Sequence, residues 1–133
     1  MRFVLLAALL AARPLCAQDT PAIDPSIAWV ASGGTWQTAH AHGHYRLVIL
    51  SPGSRATSRL LIEWIDETGH RNTVLQSRPV TVIADTWSLS QPQFLAGPRV
   101  RATVAGKDLH TAHTATWILS LGPPGQFSIS PVR

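Results

Sequence analysis

The chain has 133 residues, of which 45% are hydrophobic and 14% are charged, a composition typical of one globular domain. Its formal net charge is +4, and this falls to +2 when Arg2 and Arg13 are left out, since nine basic and seven acidic residues then remain. These basic residues are scattered along the chain, which argues against the clustered basic face that a nucleic-acid partner requires.

Residues 1–17 have the pattern of a secretory signal peptide. Arg2 supplies the positive charge, an unbroken apolar run follows, and Ala17 is the small residue expected before the cleavage site. The apolar run is too short to span a bilayer. Cys16 is not preceded by the small residues of a lipidation site, so we expect no lipid anchor. The sequence therefore predicts a periplasmic or secreted protein whose mature chain has no cysteine and forms no disulfide.

The mature chain opens with a polar segment and then with short, weak strand patterns. Residues 18–26 contain two prolines and predict a flexible leader. Residues 27–31 fit a first strand, 32–34 fit a turn, and 35–38 fit a second strand. The alternation leaves residues 39–43 open, because alanine and glycine suit either a strand or a loop.

The segment from His44 to Ile65 has the strongest pattern in the chain, two apolar runs joined by a polar loop. The apolar faces comprise Tyr45, Leu47 and Ile49 in the first run, and Leu60, Ile62 and Trp64 in the second. Because strand side chains alternate between faces, each opposite face carries one charge, Arg46 or Glu63. Short runs rich in β-branched and aromatic residues favour strands over a helix. We therefore predict a central β-hairpin in which Glu63 pairs across the strands with an arginine such as Arg46.

The second half of the chain continues with short strand patterns separated by turn signals. The patterns cover residues 73–77, 79–83, 87–95, 99–105, 111–121 and 126–130. Pro79 and Pro92 cannot donate a hydrogen bond to a sheet, so we expect them at edges or bends. Residues 105–108 contain Gly106 and fit a hairpin turn.

These patterns predict an all-β domain over residues 27–133, with seven or eight antiparallel strands and no helix. Regularly spaced turns favour a small β-sandwich, and a small β-barrel is the alternative. The five tryptophans all follow the signal peptide, and we expect most of them to anchor the core.

Three histidines, His40, His42 and His44, occupy every second position of one segment. On a strand they would share a face, with about 7 Å between neighbours and about 13 Å between the outer pair. Two neighbouring imidazoles can converge on one ion, whereas the outer pair cannot. A metal site would therefore need two of these histidines and a further ligand, for which His110 and His113 are candidates. Imidazoles suit zinc, copper or nickel, and the alternative is a solvated polar run without a role.

The sequence gives little support for an enzyme. It lacks a Gly-x-Ser-x-Gly elbow, a glycine-rich phosphate loop and a cysteine nucleophile in the mature chain. Most of its acidic residues lie in the leader or in turns, where turn chemistry explains them. We therefore predict a non-catalytic binding or structural module of the cell envelope, without a required cofactor. The alternative is a periplasmic metal-binding protein that uses the histidine cluster.

The expected partner is an envelope or extracellular protein or a glycan, by analogy with other exported β-sandwiches. Two surfaces are candidates for this contact. One is the outer sheet face that carries Arg99, Arg101 and Thr103, and the other is the loop over residues 51–59.

Overall fold

The structure is a computed structural model that describes residues 26–51 and 57–133. The predicted signal peptide, residues 18–25 of the predicted leader and residues 52–56 of the predicted hairpin loop lie outside the described residues. The described ranges contain no helix. They therefore contain no helix that is long and apolar enough to cross a membrane.

The described residues form nine β-strands, one more than the upper expectation. They are β1 (Ile27–Gln37), β2 (His42–Leu50), β3 (Arg59–Asp66), β4 (Thr73–Pro79), β5 (Trp87–Leu89), β6 (Gln93–Leu95), β7 (Arg101–Asp108), β8 (Thr114–Leu121) and β9 (Phe127–Pro131). The predicted strand over 87–95 is divided into β5 and β6 because Pro92 interrupts it.

The strands form two antiparallel sheets. The first sheet has the order β1-β2-β3-β4, and the second sheet has the order β5-β7-β8-β9, with β6 also paired to β7. An all-β, sandwich-like fold is thereby confirmed. The barrel alternative is wrong, because β1 and β4 at the two ends of the first sheet pair with no strand of the second sheet.

The predicted hairpin is confirmed as β2 and β3. Leu47, Ile49, Ile62 and Trp64 are all 0% exposed, so the apolar faces of both strands point into the core. Arg46 is directly opposite Glu63, and its Nε lies 2.5 Å from Glu63 Oε2, as the alternation predicted. Burying one such aliphatic or aromatic side chain stabilises a fold by about 1.5–3 kcal/mol.

The second sheet supplies the other half of the core. Ala102 and Val104 of β7 and Trp117 and Leu119 of β8 are buried in the same cluster as the inner face of the hairpin. Trp36, Trp64 and Trp117 are buried and Trp87 is half-buried, so most tryptophans anchor the core as expected. Trp29 is the exception, because 44% of it is exposed.

Hydrogen bonds join the two sheets at both ends. At one end Tyr45 Oη and Trp64 Nε1 donate to the Gly122 carbonyl, at 2.8 and 3.0 Å. At the other end the Leu89 N–H donates to Ser58 Oγ at 3.0 Å. The side chain of Ser58 is therefore a polar bridge between a loop of the first sheet and β5.

The predicted turn at residues 32–34 is wrong, because β1 runs through it as one strand with a bulge between Gly33 and Trp36. The Phe94 ring packs on Gly33 so closely that a Cβ atom there would overlap it. Gly34 has a φ of 60°, which glycine adopts without the strain that a side chain would add. The glycines thus permit close packing inside a strand rather than a reversal.

The predicted turn at residues 105–108 is also wrong. β7 continues to Asp108, and Gly106 lies against Leu89 and the Trp117 ring, so glycine again marks a close approach. The chain reverses instead between Asp108 and Thr114.

The prolines lie where the missing N–H predicts. Pro79 is the last residue of β4, which is an edge strand, and Pro92 separates β5 from β6. Residues 80–83, predicted as strand, form a turn instead, and its Val80 and Ile83 are buried in the core.

Candidate functional site

The three predicted histidine ligands lie at one end of the first sheet, in two different settings. His42 and His44 belong to β2, where they alternate with the buried Gly43 and therefore share the outer face of the sheet. His40 lies in the preceding turn, which the Thr38 N–H closes by donating to the Ala41 carbonyl at 2.8 Å. A line of three histidines along one strand does not form, but the neighbouring pair does.

Glu67 completes this cluster. Its N–H donates to the His42 carbonyl at 3.0 Å, which places Glu67 directly across from His42. Its Oε1 lies 2.6 Å from His44 Nδ1. The His44 side chain is 24% exposed and the Glu67 side chain is 38% exposed. We call the outer surface formed by His42, His44 and Glu67 the histidine face.

A second carboxylate lies beside the histidine face. Asp66 Oδ1 accepts a hydrogen bond from the Thr68 N–H at 2.8 Å. Hydrogen bonds from the Thr68 hydroxyl and N–H lower the pKa of Asp66, and a smaller contribution comes from the nearby His42. Asp66 is therefore a carboxylate held near His42 by the turn that follows β3.

The other two candidate ligands lie elsewhere. His110 and His113 belong to the reversal between β7 and β8, where the Leu109 N–H donates to the Thr86 carbonyl. Thr86 lies in the connection that follows β4, at the opposite end of the first sheet from His42. Across residues 26–51 and 57–133, no three His, Cys, Asp or Glu side chains are grouped closely enough to hold a metal ion.

The sequence carries one signal that brings Glu67 next to His42, namely the register of the hairpin. Glu63 was expected opposite Arg46, and this register is correct. Extending the same register by four residues on each strand brings Glu67 opposite His42. The composition of residues 66–72 indicates a turn, where acidic residues are usually explained by turn chemistry, so the sequence does not single out Glu67.

The free edge of β1 is the second candidate site. β1 pairs with β2 on one side, and no described strand pairs with its other side. Bulges flank the regular stretch Trp29–Gly33, in which the Trp29 and Val30 side chains are 44% and 46% exposed. An unpaired edge of this kind presents backbone N–H and C=O groups to any strand that approaches. We call this stretch the β1 edge.

The other edges carry residues that oppose strand pairing. β4 contains Arg78 and Pro79, β9 ends at Pro131, and the β5–β6 edge is broken at Pro92. The eleven residues of β1 include no proline and no charged residue. Among the edges of the described sheets, β1 is therefore the one without a charged residue or proline to oppose pairing with another strand. Only the two bulges restrict how much of β1 can pair.

The concave surfaces offer less chemistry. A shallow depression of about 520 Å³ lies between β5, β7 and β8, lined by small and hydroxyl side chains with Lys107 as the charged residue. A second, of about 530 Å³, lies beside the β2–β3 connection and has mainly apolar walls with Arg59 and Asp85. The predicted contact residues Arg99 and Arg101 are exposed, and Thr103 is half-buried in β7.

Comparisons of the chain with protein-family models, with curated proteins and with solved structures find no match. The histidine face and the β1 edge are therefore the features from which a function can be argued.

Proposed function

We propose that this chain is an exported, non-catalytic binding module of the cell envelope that binds an extended segment of another protein along the β1 edge. Export is supported by the signal-like pattern of residues 1–17. The contact is supported by one observation above all. The β1 edge is unpaired by any described strand, and it lies in a strand without charge or proline.

The chemistry of the β1 edge favours a polypeptide over a glycan. Strand addition obtains its affinity from main-chain hydrogen bonds repeated at the spacing of a β-strand, which a glycan does not supply. The two bulges restrict regular pairing to Trp29–Gly33, so the partner segment is expected to pair over about five residues. Because Trp29 and Val30 are apolar and exposed, the partner segment is expected to be uncharged and apolar.

Site-specific photocrosslinking in the native cell envelope tests this proposal. Ser32 of β1 and Ser77 of β4 are both exposed and lie at opposite ends of one cross-strand row, Ser32–Arg46–Glu63–Ser77. A photoreactive residue at Ser32 is expected to capture a second protein, whereas the same residue at Ser77 is not. An adduct of two copies of this chain would instead identify self-association, and equal capture at both serines would contradict the proposal.

A charge on the edge should abolish the contact. Val30→Lys places an ammonium group beside the β1 edge, and charged edge residues oppose strand pairing. We expect this substitution to remove the Ser32 adduct. Val74→Lys on β4 is the matched control, since Val74 is 47% exposed against 46% for Val30. If Val30→Lys and Val74→Lys reduce the adduct equally, the β1 edge is not the contact.

A further inference from the structure

We infer that His42 and His44 form a two-imidazole chelate for a divalent cation of the zinc, copper and nickel group, with Glu67 positioning the His44 ring. This inference is independent of the proposed partner at the β1 edge, since the two sites share no residue.

The placement of the two rings on β2 favours chelation. His42 and His44 are separated by one residue on the same outer face of β2, a spacing of about 7 Å between Cα atoms. His42 is exposed and His44 is half-buried, so solvent and ions reach both. Because an imidazole nitrogen extends several ångströms from its Cα atom, two rings at this spacing can turn toward one ion and bind it at about 2.0–2.1 Å.

Glu67 orients the His44 ring. Its Nδ1 lies 2.6 Å from Glu67 Oε1, which is the contact that a metal-binding histidine commonly makes through its second ring nitrogen. With Nδ1 donating a hydrogen bond to the carboxylate, Nε2 retains its lone pair and is the atom available for a metal ion. Glu67 is therefore a positioning residue for the His44 ring.

The histidine pair also has charged neighbours. Glu67 and Asp66 bring two carboxylates to this end of the sheet. Arg46 is the cation closest along the strand, and its guanidinium is already paired with Glu63. The pairing with Glu63 leaves Glu67 and Asp66 as the carboxylates nearest to the two imidazoles along the paired strands.

The ligand atoms also indicate which ion binds most tightly. Nitrogen ligands of intermediate softness bind Cu²⁺ more tightly than Ni²⁺ or Zn²⁺, following the Irving–Williams order. The described residues place no third side-chain ligand of the histidine, cysteine or carboxylate type at this point, so water molecules, rather than His110 or His113, would supply the further ligands. Such an open site exchanges its ion more readily than a closed structural site does.

The test is calorimetric titration of the untagged mature protein with Cu²⁺ alone and, in parallel, with Zn²⁺ alone. We expect one ion per chain and tighter binding of Cu²⁺. Glu67→Gln is expected to weaken binding by about tenfold, because it removes the charged partner of His44 Nδ1. His42→Ala and His44→Ala are each expected to weaken it further. His40→Ala is the matched control, since it removes a nearby histidine that lies outside the strand, and it should leave affinity unchanged.

The copper spectrum separates chelation from a structural effect. Electron paramagnetic resonance of the copper-loaded protein should report two nitrogen ligands, and His42→Gln should reduce that number while circular dichroism stays unchanged. Persistence of both nitrogen ligands in His42→Gln, or an equal loss of affinity in His40→Ala, would overturn the chelate.

Discussion

At the scale of single residues, Tyr45 gives the clearest link between burial and stability. It is the one tyrosine of the chain and is 2% exposed, and its hydroxyl donates to the Gly122 carbonyl. Burial raises the pKa of this phenol above its ordinary value of 10.0. The unfolded chain therefore releases the phenol proton at a lower pH than the folded chain. The contribution of the protonated Tyr45 to the free energy of unfolding is thus fully present below pH 10.0, and it is lost as pH rises through the pKa of the folded state.

We accordingly expect the free energy of unfolding to fall above pH 10.0, and the phenolate absorbance of the folded protein to appear at a higher pH than in denaturant. Tyr45→Phe removes one of the two hydrogen bonds to Gly122 and should cost about 0.5–1.5 kcal/mol at neutral pH. The same substitution should also reduce the alkaline loss, measured by denaturant titration at several pH values. An alkaline loss of unchanged size in Tyr45→Phe would contradict this assignment.

At the scale of secondary-structure elements, β2 depends on a glycine. Gly43 lies buried between the Ile65 carbonyl and the Trp36 ring, and a Cβ atom at this position would overlap the Ile65 carbonyl oxygen. Because backbone atoms of a paired strand cannot move aside cheaply, Gly43→Ala is expected to lower the free energy of unfolding by about 1–3 kcal/mol. Gly69→Ala is the control, since its nearest neighbour would be 4.0 Å away. Urea denaturation of both variants would measure the difference, and equal costs would contradict the steric argument.

The hairpin could be predicted from sequence because its physical cause is local. The apolar positions of β2 and β3 alternate with period two, and the residues predicted on the inner face are all buried. The glycines could not be interpreted this way. Gly33 and Gly106 suit turns by composition, but their role depends on rings from distant segments, Phe94 and Trp117, which pack against them. Such contacts carry no local sequence signal.

The candidate sites also contain residues that follow from the local sequence pattern and residues that depend on how the strands pair. His42 and His44 share a face wherever their segment is a strand, but the sequence leaves residues 39–43 open between strand and loop, and the structure places both histidines in β2. Their carboxylate partner, Glu67, depends on the register of the hairpin, which the sequence suggested only through Arg46 and Glu63. The β1 edge could not be predicted, because which strands lie at the ends of a sheet is decided by topology rather than by the residues of one strand.

At the scale of the whole molecule, Ser58 joins the two sheets at the end opposite Gly122. Its Oγ accepts from the buried Leu89 N–H, and its own N–H donates to the Trp87 carbonyl at 2.8 Å. Ser58→Ala leaves the Leu89 N–H buried without an acceptor, so we expect a loss of about 1–3 kcal/mol in thermal or urea unfolding.

Ser90→Ala is the matched control for this substitution. Ser90 Oγ donates to the Ala105 carbonyl at 3.0 Å in an exposed position, where water can replace the lost hydroxyl. We expect this change to stay within about 0.5 kcal/mol. If Ser58→Ala costs no more than Ser90→Ala, Ser58 does not bridge the sheets in the way described.

The order of the strands also affects how the chain reaches this fold. Every strand of the first sheet precedes every strand of the second, and residues 80–86 are the one covalent crossing between the two sheets in the described chain. Pairing within each sheet therefore closes only short loops, whose entropic cost is small, and the long-range step is the docking of two finished layers. Because a chain leaves the ribosome amino end first, the whole first sheet is able to assemble before the second sheet has been synthesised. The apolar inner face of the first sheet would then be exposed to solvent until the second sheet packs on it, and aggregation would compete with folding during that interval.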